Sequence, residues 1–183
     1  NHTTDDPKGI IASVMEGLSL GCGDAVIGLN PVDDSVESVA RILKMFDEFK
    51  HKWEIPTQIC VLAHVTTQME AVRQGAPCDL IFQSIAGSQK GNEAFGLTAE
   101  MLEEGRAAML SRGTCTGPNV MYFETGQGSE VSIGADCGVD EMTLEARTYG
   151  FGRFFLPFMV NNVSGFIGPE TLYDGKEMIR ANL

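Results

Sequence analysis

Two polar residues follow directly on apolar runs, and their positions indicate where ligand chemistry takes place. Asn30 follows the run Asp24-Ala-Val-Ile-Gly-Leu, and Glu124 follows the run Asn119-Val-Met-Tyr-Phe. Both runs are typical of buried strands. In a sheet of parallel strands joined by helices, ligands gather at the carboxyl ends of the strands. Asn30 and Glu124 therefore predict one pocket, although they lie far apart in the sequence.

The other predicted strand ends are polar but poor in acid–base pairs. They carry one histidine and no lysine; the polar residues are His64, Gln83, Ser84, Asn161 and Asn162. The one G-x-S-x-G match, at 17–21, comes at the end of a predicted helix and not on the strand-to-helix turn that a serine-hydrolase elbow requires. Glu124 with His64 alone would make a thin metal site. This set suits the binding of a small polar molecule whose chemistry is carried by a cofactor.

Each candidate also has a structural interpretation. A strand-end asparagine such as Asn30 commonly satisfies loop backbone groups, and His64 is typical of a hydrogen-bonded structural histidine. Phe95 and Phe166 also fit an apolar core or barrel end. Glu124 is harder to explain structurally, because a carboxylate is costly to bury without a cationic or donor partner.

Alternating strand and helix signals must position these residues. Apolar runs predict strands at 24–30, 58–64, 78–83, 119–124 and 154–163. Cap residues and apolar periodicity predict the helices between them. The helices are predicted to start at Asp6 with Pro7, at Asp33 or Asp34, around Thr67, at Thr98, at Asp140 and at Pro169.

About five strand–helix units with near-continuous apolar strands predict an α/β fold with a parallel sheet. Two architectures compete at this stage, a doubly wound open sheet and part of an eight-fold barrel. No G-x-G-x-x-G or G-x-x-x-x-G-K-[ST] phosphate loop follows a strand, which disfavours a nucleotide-binding open sheet.

Composition narrows the class of protein further. The 183 residues carry a net charge of -12, without the clustered Lys and Arg that a phosphate-backbone binder requires. No apolar run is long enough to span a bilayer. Five cysteines without a C-x-x-C pair disfavour disulfides or structural zinc and suit a reducing cytoplasm. We expect a single domain over residues 1–183, as a segment of a longer chain.

Several motifs together resemble one enzyme family. They are GDAVIGLNPV at 23–32, CVLAHVTTQ at 60–68, LIFQS at 80–84, YFETGQGS at 122–129 and GFIGPE at 165–170. In order and spacing they are similar to the large subunit of ethanolamine ammonia-lyase across essentially the whole chain. The resemblance implies a TIM (β/α)8 barrel, of which residues 1–183 would form a partial catalytic domain covering about strands two to six.

The resemblance also implies an activity and its partners. The family uses adenosylcobalamin, a cobalt cofactor, to convert ethanolamine into acetaldehyde and ammonia by radical elimination. The implied partners are ethanolamine, a small subunit and further copies of the large subunit, with neither nucleic acid nor membrane. The implied location is the cytoplasm, and some members act inside bacterial microcompartments. The family binds cobalamin without a protein histidine on cobalt, so no metal ligand is expected here.

Residue by residue, the resemblance assigns catalytic and substrate-binding roles to Asn30 and Glu124. Asn30 matches a contact to the substrate hydroxyl, and Glu124 matches the glutamate that faces the substrate ammonium and the adenosyl ribose. Phe166 matches an aromatic residue bordering the substrate. The positions implied to bind the cofactor are Pro31, Ser84, Phe95, Ser132 and Val163.

The chain departs from the family pattern at Ala94, where members can carry a glutamate near the cofactor. The family's first-strand Arg and Gln and its late-strand Asp would lie outside residues 1–183, so we expect this segment alone to be inactive. Two alternatives stay open from the residues: a metal- or water-dependent barrel lyase using Glu124 and His64, and a catalytically dead scaffold subunit.

Overall fold

Helices and parallel strands alternate along the chain, as the apolar pattern predicts. The computed structural model describes residues 4–23, 25–126 and 138–162. The elements are α1 (Pro7–Ser19), β1 (Val26–Leu29), α2 (Val36–Lys52), β2 (Gln58–Val61), α3 (Val65–Arg73), β3 (Ile81–Ile85), α4 (Gln89–Ala94), α5 (Ala99–Arg112), β4 (Met121–Thr125), α6 (Glu141–Arg153) and β5 (Met159–Asn161).

The described strands form two parallel sheets, β1–β2 and β3–β4–β5, in which each strand pairs with its neighbour in sequence. This arrangement confirms the α/β class. The two sheets meet at the Ile59 carbonyl oxygen, which accepts hydrogen bonds from the amides of Asp79 at 3.3 Å and Leu80 at 3.2 Å. Within 4–23, 25–126 and 138–162, no strand pairing closes a ring, so the barrel stays a prediction.

The two faces of the strands have different neighbours. One face packs against the helices: Ile59 and Phe123 belong to the same buried cluster as Phe46 of α2 and Leu102 of α5. The opposite face, which we call the strand-only face, is buried by residues in or beside strands alone. Its members are Cys60, Leu80, Phe82 and Tyr122, bordered by Val26, Leu62 and Met159. Side chains alternate along a strand, so Glu124 shares this face with Tyr122.

Most predicted helix caps are confirmed, because a short polar side chain accepts from a free amide of the first turn. Asp6, Thr98 and Asp140 are the N-caps of α1, α5 and α6. The prediction that Asp33 or Asp34 caps α2 is wrong. The Asp33 carboxylate accepts from the Ser35 amide at 2.9 Å and the Ser35 hydroxyl at 3.0 Å. Ser35 itself caps the helix.

Other boundaries differ from the sequence expectation. The second strand was expected to reach His64, but β2 ends at Val61 and His64 caps α3. The six-residue α4 was not predicted, since it is too short to show an apolar period. The helix expected from Pro169 lies outside the described residues. No helix among those described is long and apolar enough to cross a membrane.

The predicted apolar faces form most of the core. In α2, Val39, Leu43 and Phe46 are fully buried. Cys60, in the second apolar run, is also fully buried. Met15 of α1, by contrast, is half exposed.

Candidate active site

Glu124 lies at the centre of a row of three residues that crosses the second sheet. Its Cα pairs with Ser84 of β3 on one side and with Asn161 of β5 on the other. Paired residues of neighbouring strands project from the same face of a sheet. The row therefore places a hydroxyl, a carboxylate and an amide side by side near the carboxyl ends of the strands, as the strand-end pattern predicts.

Tyr122 is the hydrogen-bond donor that Glu124 requires. The Tyr122 hydroxyl donates to Glu124 Oε1 at 2.5 Å. The two residues are two apart on β4, so both project from the strand-only face. Sequence reasoning did not assign a role to Tyr122. The signal that would have found it is this i, i+2 spacing of a phenol and a carboxylate on one strand.

The floor below Glu124 is apolar. The Tyr122 and Phe82 rings pack edge to face, with their centroids 5.5 Å apart, and Cys60 and Leu80 complete the buried cluster. Burial first, and then the hydrogen bond and negative charge of Glu124, raise the pKa of Tyr122 well above its ordinary value; a hydrogen bond from the Asn161 side chain lowers it. Tyr122 therefore remains a neutral donor over the physiological pH range.

Cys60 lies on the same face but is not a candidate nucleophile. Its thiol is fully buried. Burial first, and also the nearby carboxylates of Glu124 and Asp79, raise the pKa of Cys60 well above its ordinary value. A protonated thiol in an apolar setting is inert, because the thiolate is the nucleophilic form.

Asn30 and Pro31 lie directly after β1, at the carboxyl end of the first sheet. Asn30 is exposed and Pro31 is half-buried. The loop that follows is held by the buried Asp5 carboxylate, which accepts from the amides of Val32 and Asp33 at 3.0 and 2.9 Å. Two strands, β2 and β3, separate Asn30 from Glu124 in chain order. Between described residues no hydrogen bond joins the pair.

Phe95 lies beside the carboxyl end of β4. A Cβ atom at Gly126 would come within 2.4 Å of Phe95 Cζ and 2.5 Å of Cε2, so the ring lies directly against the glycine backbone. Gly126 comes two residues after Glu124. Phe95 therefore lies at the carboxyl end of β4, where it also packs against the buried cluster on the helix side of the sheet. Ala94, the departure from the family pattern, is the exposed last residue of α4.

His64 has the structural role that the sequence indicates, through one of its two ring nitrogens. It caps α3, and its Nδ1 lies 2.8 Å from the Thr66 hydroxyl. Its Nε2 is buried with no hydrogen-bond partner in the described part of the chain. Among those same residues, no three His, Cys, Asp or Glu side chains group closely enough to hold a metal ion. Ser132, Val163 and Phe166 lie outside the described residues.

Comparison with known proteins decides the family. The sequence model described as ethanolamine ammonia lyase large subunit (EutB) matches residues 1–183. The chain belongs to this family. It is 55% identical to the ethanolamine ammonia-lyase large subunits of Escherichia coli K12 and of Salmonella typhimurium LT2 over 183 residues, which is 100% of this chain and 40% of each relative.

Membership of the ethanolamine ammonia-lyase large-subunit family confirms the resemblance carried by the strand-end motifs. The chain spans about 40% of the length of the curated relatives that it matches. Glu124 and Ser84 are paired in one row of the second sheet, and Phe95 lies against Gly126 just beyond β4. Asn30 follows β1, at the carboxyl end of the other sheet.

Proposed function

We propose that the polypeptide carrying this sequence is the large subunit of an ethanolamine ammonia-lyase, which converts ethanolamine into acetaldehyde and ammonia. The observation that supports this most is the half-buried Glu124 carboxylate, held at one oxygen by Tyr122. In the described residues no Lys, Arg or His pairs with it. A carboxylate without a protein cation, at the carboxyl ends of parallel strands, fits an ammonium ligand.

The proposed scaffold is a TIM barrel, in which residues 1–183 supply about the second to sixth strands. Two observations support a barrel over a doubly wound sheet. The described strands pair in sequence order, and the buried cluster of the strand-only face contains no helix residue. A doubly wound sheet has helices on both faces and a reversal of strand order, whereas a barrel has neither.

Ethanolamine would be bound by its two polar ends. Glu124 pairs with the ammonium group, Asn30 contacts the hydroxyl group, and Phe166 borders the carbon chain. In a pocket that excludes water, a charge-assisted hydrogen bond from the ammonium to Glu124 is strong and directional. The contribution of these residues is orientation of the substrate and protection of the reacting carbons, rather than acid–base power.

The residues at this edge fit a large cofactor with apolar and polar parts. The absence of a side chain at Gly126 leaves room for the apolar Phe95 ring at the carboxyl end of β4, and Ser84 brings a hydroxyl to the row that contains Glu124. Adenosylcobalamin, when bound, supplies the radical chemistry. The residues that would hold it are Pro31, Ser84, Phe95, Ser132 and Val163. The large subunit would act with a small subunit, in a homo-oligomeric assembly in the cytoplasm or a bacterial microcompartment.

The test uses the full-length chain co-expressed with its small subunit. Acetaldehyde formed from ethanolamine and adenosylcobalamin is followed by coupled alcohol dehydrogenase. We expect Glu124→Gln to lower kcat/KM by about 100-fold or more, because the charge partner of the ammonium is lost. Glu103→Gln, on the exposed side of α5, is the matched control and should behave as wild type.

Three outcomes separate the alternatives. Cofactor-dependent acetaldehyde that falls only in Glu124→Gln supports both the reaction and the residue. If Glu124→Gln and Glu103→Gln both form acetaldehyde as fast as the wild type, the proposed role of Glu124 is contradicted, whereas the proposed reaction is supported. Folded wild-type protein that forms no acetaldehyde from ethanolamine contradicts the proposed function and favours a scaffold subunit.

A further inference from the structure

The Tyr122 ring is fixed by its surroundings and not by Glu124. Its side chain is buried, and it packs edge to face on Phe82. Cys60 and Leu80 close the same apolar cluster around it. An aromatic ring in such a close-packed setting has only one rotamer available. The hydroxyl therefore occupies a defined point below the carboxylate, whatever conformation the glutamate adopts.

The single hydroxyl proton of Tyr122 has one acceptor. A phenol has one proton, and Tyr122 donates it to Glu124 Oε1, which lies 2.5 Å from the phenol oxygen. Asn161, whose Cα pairs with Glu124, projects from the same face of the sheet.

The hydrogen bond from Tyr122 occupies only one of the two carboxylate oxygens of Glu124. The second oxygen of Glu124 receives no hydrogen bond from a described residue. A carboxylate has about four acceptor sites, and an ammonium group is recognised best by an oxygen in a fixed position. Without a donor below it, the glutamate could rotate about its side-chain bonds and present either oxygen at several angles.

We infer that Tyr122 is a positioning residue, which holds Oε1 of Glu124 so that the other carboxylate oxygen is presented to the ammonium group of an amino-alcohol substrate. The inference rests on the proposed function for its substrate.

The main variant is Tyr122→Phe, which keeps the ring and its packing and removes only the hydroxyl. In the full-length complex with its small subunit and adenosylcobalamin, we expect kcat/KM for ethanolamine to fall by about 10- to 100-fold, the value of one hydrogen bond to a charged group. Tyr149→Phe removes the same hydroxyl from a partly exposed position of α6 and serves as the control. Its kcat/KM should equal that of wild type.

A double-mutant cycle tests whether Tyr122 acts through Glu124. Glu124→Asp keeps the charge but withdraws the carboxylate from the phenol by one methylene. If Tyr122 positions Glu124, Tyr122→Phe should change kcat/KM by less than about twofold in the Glu124→Asp background. A packing role would instead give the same loss in both backgrounds. The infrared carboxylate band that Glu124→Gln removes should also shift in Tyr122→Phe, which detects the hydrogen bond without turnover.

The outcomes distinguish this inference from the function on which it rests. A loss in Tyr122→Phe that vanishes in the Glu124→Asp background, with the band shift, supports the inference. If the wild type is active and Tyr122→Phe has the same kcat/KM, the inference alone is overturned. The same holds if the kcat/KM losses of Tyr122→Phe and Glu124→Asp are additive. A folded wild-type complex that forms no acetaldehyde overturns the proposed function and, with it, the substrate named here; the infrared band then reports only whether the pair exists.

Discussion

Gln68 of α3 forms two hydrogen bonds with the backbone of Phe82 in β3. Its Nε2 donates to the Phe82 carbonyl oxygen at 2.8 Å, and its Oε1 accepts from the Phe82 amide at 2.9 Å. The same Nε2 also donates to the Ala63 carbonyl oxygen at 2.5 Å. Gln68 is fully buried. Where the two sheets meet, the Gln68 side chain therefore makes the hydrogen bonds to the Phe82 backbone that a paired strand would otherwise make. It connects the segment after β2 to the middle of β3.

We predict that Gln68→Leu destabilises the protein by about 3 kcal/mol. The substitution keeps the volume but leaves the buried amide of Phe82 and the carbonyl of Ala63 without a partner, and each unsatisfied group costs about 1–3 kcal/mol. Gln74→Leu is the control, since the Gln74 side chain bonds Glu70 on an exposed helix face. Urea unfolding of the full-length protein should separate them; equal midpoints would refute the bridging role.

Lys50 and Asp79 form a buried ion pair near the amino ends of β2 and β3. Lys50 Nζ lies 2.5 Å from Asp79 Oδ2, with 16% and 6% of the two side chains exposed. The Asp79 carboxylate also accepts from the Ile59 amide at 3.0 Å and the Thr114 hydroxyl at 2.6 Å. The Asp79 carboxylate thus connects α2, both sheets and the loop after α5. These contacts lie at the amino ends of the strands, opposite to the end that carries Glu124.

We predict that Lys50→Met lowers the free energy of unfolding by about 3–5 kcal/mol, because it leaves a buried carboxylate without its cation. Lys52→Met is the control, since Lys52 is exposed on the same helix. In the proposed barrel, residues at the amino ends of the strands would contribute to stability and not to catalysis. Thermal unfolding should therefore report a loss in Lys50→Met while kcat of the folded fraction is unchanged; a fall in kcat instead would contradict this division.

The local features of the fold were predictable from sequence because they depend on neighbouring residues. The cap at Asp6 and the alternation of apolar runs each follow from a short segment. The start of α2, where Ser35 and not Asp33 is the cap, shows the limit of that approach. Aspartate and serine are both good caps. Ser35 is the cap here because the Asp33 carboxylate accepts hydrogen bonds from the Ser35 amide and hydroxyl instead of from the first turn of α2. A sequence pattern does not carry that detail.

The candidate site was predictable in part. Glu124 is identified by a carboxylate that follows an apolar run, and its row with Ser84 and Asn161 requires the strand register. The sequence pattern gives Gln68 no role of its own, because its partners are backbone groups of two separate segments. Such long-range bonds leave no periodic mark in the sequence, so only the structure reveals them.

Gly126 is predicted to be required for the position of Phe95. A Cβ at Gly126 would lie 2.4 Å from the ring, which is closer than real contacts allow. We expect Gly126→Ala to displace the ring and to weaken adenosylcobalamin binding by about tenfold, the effect of losing one well-placed contact surface. Gly117→Ala, where an added Cβ meets nothing within 4 Å, is the control.

Relief of the clash tests the mechanism of that effect. Phe95→Leu shortens the side chain, so Phe95→Leu combined with Gly126→Ala should bind the cofactor better than Gly126→Ala alone. Cofactor titration followed by its visible absorbance measures each affinity. A double variant that binds no better than Gly126→Ala would show that the ring position is not what the glycine protects.

The cysteines should differ sharply in their reaction with iodoacetamide. Cys22 is exposed, whereas Cys60 and Cys78 are fully buried, and burial is the main factor that raises the pKa of each of the two buried thiols. At about pH 8 we expect Cys22 to be labelled in the native protein and the buried pair only after unfolding. Peptide mass spectrometry measures this order, and early labelling of Cys60 would contradict the packed strand-only face.

Tyr122 should also set an alkaline limit on stability. Its pKa in the folded protein is raised, mainly by burial and then by Glu124, above the ordinary value of about 10 that it has when unfolded. The folded state therefore holds this proton more tightly than the unfolded state does. The resulting stabilisation is complete below about pH 10 and is lost as the pH rises from there toward the folded pKa.

We therefore predict that the unfolding free energy of the wild type falls more steeply above about pH 10 than that of Tyr122→Phe, which has no proton to lose at this position. Tyr149→Phe should retain most of the wild-type slope, because Tyr149 is only partly buried and its pKa, although also raised, lacks a hydrogen-bonded carboxylate as a cause. Urea unfolding at a series of pH values, with tyrosinate absorbance as a second signal, measures the slopes. Identical slopes in wild type and Tyr122→Phe would mean that the phenol ionises as easily in the folded protein as in the unfolded chain, and that its bond to Glu124 is not held in solution.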